Sequence, residues 1–164
     1  MSKIALIIIT VAIVAVLVIA GAVYYIMGLG FSDGDGLHMT PAAFYDKTQL
    51  ESGWQINLRQ ISETIPWSDV RVLLNDGVNF VEWNIDSADL DGGREVTVPY
   101  AARALGALSV TLTVTDLSGN GAVNSYDHFT VSATPAFSST TNYSTVLLFR
   151  PTAEQIGAGV TFTG

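Results

Sequence analysis

The 164-residue chain carries 7 basic against 15 acidic side chains, a net charge of −8, and no cysteine. That balance excludes the basic patch a nucleic-acid partner requires, and the missing thiols exclude disulfides and thiolate metal sites. Nearly all of the acidic excess falls beyond residue 30, so two different materials are joined in one chain.

The first element runs from Ile4 to Gly30, without a charge or a proline. At about 1.5 Å per residue it would make a helix of about 40 Å, long enough to cross a bilayer with some tilt. A secretory signal core is shorter, about 7–15 residues. Here the apolar run continues past the small residues Ala20-Gly21-Ala22 through Tyr24 and Met27, so the segment is expected to stay. Only Thr10 interrupts it, and a helix apolar all round must be buried all round, in lipid or against protein. Gly28-Leu29-Gly30 is the expected stop, since glycine accepts the left-handed cap conformation. Residues 1–30 are thus expected to form a membrane or assembly helix. Ile4, Ile8, Val11, Ala15, Val18, Gly21, Ala22, Tyr25 and Gly28 are its contact positions, the small ones permitting close helix approach.

Residues 31–41, opening "FSDGDG", read as a Gly/Asp linker. Residues 42–164 read as one domain, long enough to bury a core of its own. From Gly53 onward the period is two. In "ALSVTLTVTD", Leu108, Val110, Leu112 and Val114 alternate with Ser109, Thr111, Thr113 and Thr115. Strands are expected over Trp54–Ile61, Val70–Leu74, Asn79–Ile85, Arg94–Val98, His128–Ala133, Tyr143–Arg150 and Val160–Thr163. A single helical turn is expected at Ala101–Ala107. Turn residues separate the strands, as at Asn75-Asp76-Gly77 and Asn120-Gly121. The expected fold class is a long N-terminal apolar α-helix followed by an all-β antiparallel, immunoglobulin-like sandwich head.

Few residues suggest chemistry. Asp116, Ser118, Asn120, Asn124 and Asp127 fall in the register of a calcium loop, with Gly121 at its turn position. Oxygen ligands so spaced can converge on one hard cation. An Asx-rich hairpin between two strands explains the same residues, and both readings stand. Asp86, Asp89 and Asp91 read as a solvated acidic loop, and His38 and His128 as isolated histidines. Asn142-Tyr143-Ser144 is an N-glycosylation acceptor triplet. Neither a nucleophile elbow nor a phosphate-cradling glycine pattern is present, so an enzyme is not expected and no cofactor is assigned, structural calcium apart.

The apolar segment with its Gly28-Leu29-Gly30 step resembles the mature N-terminus of archaeal type IV pilins, of the euryarchaeal kind. "IPWSDVRVLLNDG", "VTDLSGNGAVNSYDHFTV" and "YSTVLLFRPTAEQIGAGVTF" are similar to stretches of the heads of that family. The glutamate that bacterial pilins carry at the fifth mature position is Ala5 here. The resemblance implies a structural filament subunit, membrane-anchored before assembly. Its partners would be copies of itself, the prepilin peptidase and the assembly machinery, with adhesion at the cell surface as the task. The alternatives are a permanently anchored extracellular domain that binds the cell envelope or serves an archaellum as accessory, and an archaellin.

Overall fold

Alternating β-branched and polar residues, cut by Asn, Asp and Gly turns, lay down strand after strand in the computed structural model, which describes residues 41–164. In chain order these are β1 (Ala43–Leu50), β2 (Gly53–Ile61), β3 (Ile65–Pro66), β4 (Val70–Asn75), β5 (Phe80–Asn84) and β6 (Val96–Leu105). They are followed by β7 (Leu108–Asp116), β8 (Ala122–Val123), β9 (His128–Thr134), β10 (Tyr143–Phe149) and β11 (Glu154–Phe162). A five-stranded sheet has the order β1-β2-β9-β7-β6, a four-stranded sheet the order β11-β10-β4-β5, and β3 pairs with β8. Every pairing is antiparallel.

The expected fold class, a long apolar helix joined to a sandwich, is corrected to an all-β antiparallel fold. The described residues contain no long helix. Their helical pieces are the 3₁₀ turn Trp67–Asp69 and α1, Ser87–Leu90. No helix among them is long and apolar enough to cross a membrane. The assembly positions Ile4, Ile8, Val11, Ala15, Val18, Gly21, Ala22, Tyr25 and Gly28, and the linker as far as residue 40 with His38, lie outside the described residues.

One core unites the two larger sheets. Val110, Leu112 and Val114 of β7 and Phe129 and Val131 of β9 belong to the same buried cluster as Val70, Val72 and Leu74 of β4 and Leu147 of β10. Trp67, fully buried, joins it from the 3₁₀ turn. At one edge Phe137, Tyr143, Phe162 and Trp54 stack or tilt on one another, with ring centroids 4.7–5.8 Å apart. Such aromatic pairs add to simple area burial. Tyr45 on β1 donates to the Ile156 carbonyl at 2.6 Å, and Lys47 donates to the Thr161 carbonyl, so edge strand β1 is tied to β11 of the other sheet.

Three local expectations are revised. Ala101–Ala107, expected as a helical turn, instead extends β6 as far as Leu105, where Arg103 faces Val110 and Leu105 faces Leu108. A register shift between Tyr100 and Arg103 absorbs the extra residues, so sheet pairing overrides the helical propensity of alanine. The last strand starts at Glu154, six residues ahead of the expected Val160, and crosses Gly157 with φ +64°. Asp86, Asp89 and Asp91 do not form a plain loop: Asp86 caps α1 by accepting the Ala88 N–H at 3.0 Å.

Candidate functional site

β7 delivers Asp116 to the end of the sandwich, and β9 begins just after Asp127. The intervening turn brings together all five residues of the calcium-like register. Asp116 is fully buried. Its Oδ1 accepts the Ser118 N–H at 2.9 Å, the Ser118 hydroxyl at 2.9 Å and the Gly119 N–H at 2.7 Å. Its Oδ2 accepts the Gly121 N–H at 3.0 Å. Asp127, 1% exposed, accepts the Leu117 N–H at 2.9 Å on Oδ1 and the Asn124 N–H at 2.7 Å on Oδ2.

Asn124 completes the turn with its amide. Its Nδ2 donates to Ser118 Oγ at 3.1 Å, Asn120 Oδ1 at 3.1 Å and the Ala122 carbonyl at 2.9 Å. Oxygens that could ligate a cation thus converge on an N–H₂ group, and the carboxylates on backbone N–H groups. A cation would have to displace those donors to gain its ligands. Among the described residues no group of three or more His, Asp or Glu side chains is placed to hold a metal ion.

Burial is the main cause that pushes Asp127 up to about 6, and the neighbouring Asp116 carboxylate adds to it; the two N–H donors pull the other way. Two buried carboxyl groups therefore share one turn, which no basic side chain enters with a hydrogen bond.

The turn also gathers chain from elsewhere. The Gly119 carbonyl accepts the N–H groups of Gly92 and Gly93, at 2.9 and 2.7 Å, and the Gly121 carbonyl accepts the Trp67 N–H at 2.9 Å. The approach is close enough to require glycine. A Cβ on Gly119 (φ +60°) would lie 1.7 Å from the Arg94 carbonyl oxygen, and one on Gly121 (φ +69°) 2.7 Å from that of Ser87. The Asn/Asp/Gly composition signalled a turn, but these partners, far away in sequence, left no mark in its spacing.

Asn142 is exposed, one residue ahead of β10. The rest of its triplet is held: Tyr143 is 3% exposed within the aromatic cluster, and Ser144 pairs with Asn75 on one side and Thr161 on the other. His128 opens β9, opposite Asn57 and Thr115. No protein-family model matches the chain, and no curated protein matches it.

Proposed function

We propose that this chain is a structural subunit of an archaeal type IV pilus-like surface filament that serves adhesion. The observation that carries the reading is the join between two materials. Ile4–Gly30 is uncharged and apolar, whereas the domain behind it fills its core from its own strands. The apolar segment therefore needs another apolar environment: lipid before assembly, and the same segment of neighbouring copies afterwards. At about 25 cal/mol per Å² of apolar surface, exchange of lipid for protein keeps that burial, whereas exposure to water forfeits it.

The prepilin peptidase and the assembly machinery are the partners in that transfer, and the all-β domain becomes the outer, extracellular layer. Asn142, exposed at the start of β10, is the glycan acceptor on that layer. The turn from Asp116 to Asp127 is a structural clasp rather than a reaction centre. Electron microscopy of sheared cell-surface material, with peptide mapping of the fibres, tests the reading. Fibres containing the peptides of residues 42–164 support it. A chain found wholly in the membrane fraction under native expression would refute it.

A further inference from the structure

Asn120-Gly121 is the one Asn-Gly pair in the chain, and it sits within the turn from Asp116 to Asp127. Asparagine is a thermolabile residue. Its side-chain amide is lost when the next backbone nitrogen attacks Cγ, and glycine, with no Cβ, shields that nitrogen least. Asn120 is exposed, so water reaches it, yet it lies between the buried Gly119 and Gly121. Every group the reaction needs is engaged elsewhere. The attacking nitrogen belongs to Gly121, whose N–H donates to the buried Asp116 Oδ2 at 3.0 Å. The carbonyl to be attacked is held as well: Asn120 Oδ1 accepts the Ala122 N–H at 2.9 Å and Asn124 Nδ2 at 3.1 Å. The main chain is pinned on both sides, at the Gly119 carbonyl by Gly92 and Gly93 and at the Gly121 carbonyl by Trp67. Asn120 itself bridges to Asp91. For the Gly121 nitrogen to turn toward Cγ, its N–H must leave Asp116, and a buried acceptor is left short of its donor.

We propose that Asn120 is a latent deamidation site, shut while the clasp is shut, which converts an opening of the turn into its permanent loss. Once the turn opens, the Gly121 nitrogen bonds to Asn120 Cγ and the Cγ–Nδ2 bond breaks. The Gly121 amide proton departs with the side-chain nitrogen as ammonia. One water then opens the five-membered imide to aspartate or isoaspartate. In isoaspartate the main chain runs through Cβ and Cγ, and so gains one carbon between residues 120 and 121. The turn has no room for it. A single Cβ on Gly121 would already lie 2.7 Å from the Ser87 carbonyl oxygen, and the carbonyls of Gly119 and Gly121 are both in use. The lengthened chain cannot serve Gly92, Gly93 and Trp67 together, so the clasp does not re-form. The site acts in the domain whether or not the chain enters a filament.

The test ages full-length chain in mild detergent at neutral pH beside a peptide spanning residues 114–131, with mass spectrometry following deamidation at Asn120. The folded chain should react at least about a hundredfold more slowly than the peptide, the factor that about 3 kcal/mol of opening cost confers. Leu74→Ala, a core change in the other sheet, supplies the comparison for stability alone. In urea adjusted to equal unfolding free energy, Asp116→Ala should react at least about tenfold faster than Leu74→Ala, because its turn opens locally. Asp116→Asn takes its place should the alanine variant fail to fold. A chain that reacts as fast as the peptide, or faster, overturns the proposal. So do equal rates in the two variants, which would assign the gate to unfolding of the whole domain. Chain aged in urea and returned to buffer is then sorted by isoaspartyl methyltransferase. The fraction it labels should melt lower, whereas Asn120→Asp, with the new charge but no added carbon, should melt as the original does. Labelled chain as stable as the original, or Asn120→Asp as weak as labelled chain, overturns the permanent loss.

Discussion

Replacing Asp116 by alanine removes four hydrogen bonds of 2.7–3.0 Å at one stroke. The Ser118 donors can turn to water, but the Gly119 and Gly121 N–H groups are bonded at buried positions and would be left unpaired. An unsatisfied buried donor costs about 1–3 kcal/mol, so the two together should cost about 4 kcal/mol. For a domain of this size that is a large share of a total of about 5–15 kcal/mol, and lowers Tm by about 15 °C. Asp116→Asn keeps one acceptor oxygen but turns an N–H₂ group on a donor, and should lose about half as much. The assay is urea unfolding of the full-length chain in detergent, followed by the fluorescence of its three tryptophans. Trp67 sits beside the turn, since its backbone N–H donates to the Gly121 carbonyl and its side chain is fully buried. A loss below about 1 kcal/mol for Asp116→Ala would show that the clasp is not held by this carboxylate.

Asp127 makes stability depend on pH. Its folded value of about 6 lies above its ordinary 3.8, so the folded state holds the proton more tightly. The resulting stabilisation is complete below about pH 4 and is lost as pH rises through about 6, about 3 kcal/mol at about 1.4 kcal/mol per tenfold change. Unfolding free energies of Asp127→Asn measured from pH 4 to 7 should be flatter than those of the unsubstituted chain; an unchanged slope would refute the assignment. Gly119→Ala should cost more than about 2 kcal/mol, because its Cβ meets Arg94 backbone, whereas Gly77→Ala, at φ +89° in open space, should cost only about 1 kcal/mol. Similar melting temperatures for the two would refute the close approach. With the turn's oxygens committed to N–H donors, calcium at about 1 mM should leave the melting temperature unchanged, and a rise would restore the cation reading. Because Ser144 is paired on both sides, glycan should be transferred to Asn142 only before folding. An extract with oligosaccharyl transferase should modify a peptide spanning Asn142 and leave the folded chain bare, as mass spectrometry would show.

Strands with one wet face were legible because their alternation is strict. β7 runs Val110, Leu112 and Val114 inward against Thr111 and Thr113 outward, and its expected and observed bounds nearly coincide. β1 left no such signal, because an edge strand exposed over most of its length, from Asp46 to Leu50, has no buried face to impose a period. The first half of β11 carries no period in the sequence, because Gly157 and Gly159 have low strand propensity and no side chain to alternate. The five residues of the Asp116–Asp127 turn were legible as a cluster, since Asx and Gly spacing is local. Whether their oxygens face a cation or N–H groups depends on where the Leu117, Gly119 and Gly121 amides point, and that is set by the folded backbone.

Edge strand β1 also has a mechanical meaning. Residue 41 leads directly into it, and β1 is held by its ladder to β2 and by the side-chain ties of Tyr45 and Lys47 to β11. A pull on residue 41 along the strand axis loads the ladder from Ala43–Ile61 to Leu50–Gly53 in shear, so many bonds must yield together. The same pull across the sheet opens them one after another from the Ala43 end. The domain is therefore an anisotropic coupling, stiff along β1 and weak across it, and the direction of tension decides which it is.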